Sequence, residues 1–87
     1  MDKEFLNKVI DQIDSETIVD YDYMNGRIFL PYLNGFILFD LFPIVSPSYY
    51  THFTEHCKNI YGLSDVEIKY VWEECAKIIN DKIENNG

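Results

Sequence analysis

The sequence predicts an α+β domain in which one helix, a three-stranded antiparallel β-meander and a helical hairpin follow in the order αβββαα. Three observations carry this expectation. The hydrophobic period runs at 3.6 residues, changes to two, and then returns to 3.6. Asn25-Gly26 and Asn34-Gly35 each sit between β-rich runs, the strongest short-range hairpin signal. Ser64-Asp65-Val66-Glu67 is a capping box that opens a final helix.

The first helix is expected from Asp2 to about Asp14. Phe5, Leu6, Val9, Ile10 and Ile13 recur on one apolar stripe, with Lys3, Glu4, Asn7, Lys8 and Asp11 elsewhere. Glu4 and Lys8 stand at a favourable i,i+4 spacing. The strands follow as Thr17–Met24, Arg27–Leu33 and Phe36–Phe42. Two tight two-residue turns are not compatible with this meander. They would make Arg27 bond back to Met24 and Leu33 bond forward to Phe36. Positions of equal parity on one strand point to the same neighbour. Either a loop is longer, or the middle strand bulges at Pro31, which has no N–H to give. A three-residue loop Leu33-Asn34-Gly35, with Gly35 left-handed, is the other repair.

Ser46-Pro47 reads as an N-cap followed by proline at the first helical position. Tyr49, Tyr50, Phe53, Cys57, Ile60 and Tyr61 form the inner face of that helix, and Gly62 is its stop. The last helix buries Ile68, Val71, Trp72, Cys75, Ile78, Ile79 and Ile83, with Glu73, Glu74, Lys77, Asp81 and Glu84 outside. Trp72 should anchor the core, because it brings the largest area available for burial. The short connection Tyr61–Ser64 makes the last two helices a hairpin, and helices on one side of one sheet give the α+β layer arrangement.

The 87 residues carry 15 acidic and 7 basic side chains, a formal net charge of −8. This length implies a single domain. Apolar residues at 47% and aromatics at 16% exclude a disordered chain. The acidity argues against direct nucleic-acid binding, which calls for a basic stripe, and against an anionic membrane surface. The charged N-terminus is not a secretory signal. The longest apolar stretch, Phe36 to Phe42, is broken by Asp40 and too short to span a bilayer. Cys57 and Cys75 make no disulfide framework and read as reduced, buried hydrophobes. A cytoplasmic protein is expected.

His52-Phe53-Thr54-Glu55-His56 matches H-x-x-E-H, the inverzincin pattern. A zinc peptidase also needs a carboxylate ligand from elsewhere. Glu73 and Glu74 are the obvious donors, and both lie off the apolar face of their helix. The histidines are therefore expected at the surface, with no metal and no cofactor. No glycine-rich phosphate loop, CxxC or nucleophile elbow is present, so no enzyme is expected. The order αβββα invites comparison with the double-stranded-RNA-binding domain, but the start of the candidate helix, Ser46 to Thr51, has no cation to grip phosphates.

The acidic, aromatic surface remains. Asp14, Glu16, Asp20 and Asp22 crowd the end of the first helix and the first strand, with Arg27 as local counter-charge. Asp20 and Asp22 share a strand face with Ile18 and Met24, while Val19, Tyr21 and Tyr23 take the other. A two-residue first turn would set Asp22 opposite Phe29 and Asp20 opposite Pro31. Asp40 adds an acid to the third strand, and Glu67, Glu73 and Glu74 add three on the last helix. Asp14, Glu16, Asp20, Asp22, Phe29, Asp40, Glu67, Glu73 and Glu74 are the candidate partner-binding residues. The meander is apolar on both faces, so one face should stay exposed, as interfaces do.

In acidity, length and inferred element order the chain resembles small bacteriophage anti-defence proteins, in particular a Cas9-inhibiting anti-CRISPR that occupies the DNA-reading cleft as an acidic decoy. The resemblance implies an inhibitor in the host cytoplasm that blocks the basic site of a nucleic-acid-processing host protein. A different expectation is an assembly module that forms a homodimer through its apolar sheet face, with acidity serving solubility.

Overall fold

The computed structural model describes residues 2–20, 26–38 and 47–86. Their elements run α1 (Lys3–Glu16), β1 (Ile18–Asp20), β2 (Arg27–Leu30), β3 (Gly35–Leu38), α2 (Pro47–Tyr61) and α3 (Asp65–Asn86). The αβββαα α+β arrangement is the predicted one. Among the described residues no helix is long and apolar enough to cross a membrane.

Helix α1 starts where the Asp2 carboxylate accepts the Phe5 N–H at 3.2 Å, satisfying one orphan donor of the first turn. Leu6, Val9, Ile10 and Ile13 are buried, but Phe5 stays exposed and leaves the predicted stripe. Thr17 was expected to open the first strand. It caps α1 instead, its Oγ1 donating to the Ile13 carbonyl at 2.8 Å and its N–H to Asp14 at 3.2 Å. A buried hydroxyl must find an acceptor, and a helix end supplies free carbonyls.

The sheet order is β1-β2-β3, with both pairs antiparallel. Ile18 pairs with Phe29 and Asp20 with Arg27; Phe29 pairs with Phe36 and Leu30 with Gly35. Asp20 is therefore opposite Arg27, not Pro31, and the expected pairing of Asp22 with Phe29 is replaced by Ile18. Asp22 itself lies outside the described residues, as do the expected strand ends Met24 and Phe42, the Ser46 cap and Asp40. The second connection is neither a two- nor a three-residue loop. Residues 31–34 form it, with the Leu30 carbonyl accepting from Leu33 and Asn34, each at 3.0 Å. Pro31 and Leu33 thus belong to the turn, not the strand. The ring fixes φ for a turn position and the missing N–H costs no ladder bond. Asn34, not Gly35, takes the left-handed conformation, at φ 51°, a region that asparagine tolerates better than most residues.

Period-two alternation gives the sheet an inner and an outer face. Ile28 and Leu30 are fully buried inside, with Val19 and Ile37 packed against the core. Tyr32 follows in the turn and is also buried, its ring edge-on to Phe53 at 5.1 Å. The helices close this side. Phe53 and Cys57 enter from α2, and Ile68, Val71, Cys75 and Ile79 from α3. Each fully buried aliphatic side chain is worth ~1.5–3 kcal/mol over exposure. Ile60 does not join its predicted stripe, being 64% exposed. Trp72 is half-buried, its ring within 5.0 Å of Phe53 and 5.2 Å of Tyr50.

Gly62 (φ 65°) ends α2 in the left-handed region. The next residue, Leu63, returns its N–H to the Cys57 carbonyl at 3.4 Å and buries its side chain. The predicted capping box then starts α3. Ser64 N–H donates to Glu67 Oε1 at 2.9 Å, and the Glu67 N–H to Ser64 Oγ at 3.4 Å. Near its far end, Lys82 donates to the Asp14 carbonyl at 3.2 Å and pairs with the Asp14 carboxylate, tying α3 to the end of α1.

Candidate interaction surface

The core residues of all three helices cluster with the inner-face side chains Ile28 and Leu30, and no described side chain of the outer sheet face belongs to that core. The register sets Ile18, Phe29 and Phe36 side by side across three strands. Ile18 is 52% and Phe36 45% exposed. The Phe29 and Phe36 rings meet edge to face at 5.4 Å, which fixes their orientation without covering them. The neighbouring cross-strand pair is charged. Arg27 Nε lies 3.0 Å from Asp20 Oδ2, and its guanidinium stands 4.2 Å from the Phe36 ring centroid. An ion pair and a cation–π contact thus frame an apolar row on a rigid sheet.

The nominated acids are not gathered in one place. Asp20 is held by Arg27 on the outer face, as its predicted outward direction requires. Asp14 is taken up by Lys82 at the α1–α3 junction. Glu67 closes the capping box, and the backbone N–H of Ser64 holds its carboxyl below the usual range. Glu74 is half-buried and pairs with Lys77 at 3.3 Å, and Glu73 is exposed. Among the described residues only Glu16 of these acids lines a cleft with Phe29, where the end of α1 meets the turn 31–34. Their cleft, shallow and open to solvent, is completed by Pro31, Asn34 and His56.

His56 departs from the sequence expectation. It is half-buried between the rings of Tyr32 (6.5 Å) and Tyr61 (5.9 Å), and its Nε2 is sealed from water with no hydrogen-bond partner among the described residues. Burial lowers its pKa, and Glu16 opposes this more weakly. His52 is exposed. Among the described residues no group of three or more His, Cys, Asp or Glu could hold a metal ion. Cys57 and Cys75 are free and buried, and desolvation pushes both thiols up to about 12. At neutral pH they carry almost no thiolate, the reactive form.

Arg27 was expected as the counter-charge of these acids and pairs with Asp20; Ile18 and Phe36 were not singled out from sequence, because their juxtaposition follows from a register that the Asn-Gly signals misplace. Comparison with protein-family models, with curated proteins and with solved structures finds no match.

Proposed function

We propose that this chain is a small acidic protein-binding inhibitor that places its outer sheet face over a basic, nucleic-acid-binding site of another protein. The observation that supports it is the row Ile18–Phe29–Phe36, exposed at Ile18 and Phe36 and half-buried at Phe29, in a chain of net charge −8. Exposed aromatic rows on a rigid sheet are the anchors of protein interfaces. The surrounding charge favours a cationic partner and disfavours a second copy, since two copies would bring −8 against −8. The acids steer the encounter, and the apolar row supplies the desolvated contact.

The test is competition. Purified nucleases with cationic clefts are titrated with the chain in the presence of labelled duplex DNA. Displacement of DNA by the chain, lost in the double variant Ile18→Ser with Phe36→Ser, is the expected result. That variant changes no charge and removes no inner-face residue, so its circular dichroism should match the parent. Self-association through the same face is the competing reading. A chain that sediments as a dimer, becomes a monomer in the double variant and never displaces DNA would establish it instead.

A further inference from the structure

The cleft at the end of α1 has a composition of its own. Glu16 is exposed, and its Oε1 accepts the Gln12 side-chain amide at 2.9 Å, which steadies the carboxylate. Among the described residues no cation is paired with it. Phe29 and Pro31 offer half-buried flat surfaces, and Asn34 an exposed amide. The His56 ring forms the remaining wall. The charge that acts on it is Glu16, while Tyr32 and Tyr61 flank it and His52, one turn earlier, is exposed. An imidazole half-buried between two rings, with one nitrogen sealed from water, is held in its neutral form. It offers a flat face and no repelling charge.

We propose that this cleft receives an arginine side chain of the partner, its guanidinium paired with Glu16 and lying against the Phe29 and His56 rings. The proposal rests on the reading of the chain as a binder of a basic protein and names the group that this corner accepts. Guanidinium is the cation that suits such a site. It is planar, weakly hydrated and able to stack on an aromatic face while donating to a carboxylate. The same molecule already shows this pairing a strand away, where Arg27 lies over Phe36 and bonds to Asp20. Phe29, half-buried, belongs both to the cleft and to the row with the exposed Ile18 and Phe36, so one partner surface can fill the two together.

The probe is the peptide acetyl-Gly-Arg-Gly-amide, followed by NMR on the labelled full chain, with lysine and citrulline peptides beside it. Citrulline keeps the planar shape and loses the charge. The arginine peptide should cause saturable shifts at the His56 ring and the Asn34 side chain. Its affinity should exceed that of the citrulline peptide, and fall in Glu16→Gln, by about fivefold, the scale of one partly screened ion pair. Phe29→Leu should narrow the preference for arginine over lysine. Protonating His56 by lowering the pH should weaken the arginine peptide. Equal binding of arginine and citrulline, a stronger lysine peptide, no effect of Glu16→Gln, or no saturable shift would each overturn the proposal. The two readings fail separately. Peptide binding that persists in Ile18→Ser with Phe36→Ser, while no DNA is displaced by the parent, removes the inhibitor reading and leaves the cleft. Displacement of DNA that Glu16→Gln leaves unchanged does the reverse.

Discussion

At the scale of single residues, His56 links burial to pH. Its folded pKa lies below the ordinary histidine value of 6.5, chiefly through desolvation. The sign follows from linkage. Above 6.5 both folded and unfolded forms are neutral, and the group adds no pH dependence. As pH falls below 6.5, the unfolded chain takes the proton first, so folding loses stability until the folded pKa is passed. Melting temperature should therefore drop on acidification through that window, and His56→Gln should flatten the slope. An unchanged slope would assign the loss to other groups. Trp72 gives a second expectation. Its ring joins Phe53, Tyr50 and, at 6.4 Å, Tyr32. Because it is only half-buried, Trp72→Ala should cost ~3 kcal/mol, the low end for such truncations, read by urea unfolding with circular dichroism. Sequence placed Trp72 on the right face. It missed Tyr32, because a tyrosine in a turn has no period to betray its burial.

At the scale of elements, the helices were legible and the turns were not. Capping and 3.6-residue periodicity are local, so the Ser64–Glu67 box and the Gly62 stop could be read from a few residues. Strand register is not local. It is set by how Ile28 and Leu30 meet the helical core, and moving a pairing by even one residue turns every side chain over. The Asn34-Gly35 signal marked the right place for a turn while misplacing its length, since proline at 31 preferred a turn to a strand. Gly62 yields a sharp test. Nothing lies within 4 Å of a Cβ added there, so Gly62→Ala meets no clash and carries only the left-handed backbone penalty. A loss of about 1–2 kcal/mol is expected from urea unfolding. A neutral result would mean that the α2–α3 link relaxes out of its φ of 65°.

At the scale of the whole molecule, the charge of −8 is spread over a body of 40 × 22 × 17 Å. Affinity for a cationic partner should fall as salt rises, because screening shortens the reach of the field to ~8 Å near physiological ionic strength. Folding stability should change far less, since the four ion pairs among the described residues are all partly exposed and such pairs contribute little each. Surface plasmon resonance between 50 and 500 mM salt separates the two, with the loss expected mainly in the association rate. An association rate indifferent to salt would remove steering from the account. The bond between Lys82 and Asp14 spans 68 positions of sequence, and α3 leaves the ribosome well after α1. Until α3 emerges, Leu6, Val9, Ile10 and Ile13 have no helix to bury them. The nascent chain must carry an apolar stripe and an unclosed sheet while the residues between α1 and α3 are made. Contacts this distant in sequence delay closure, and chains caught in that interval expose the surfaces on which chaperones act.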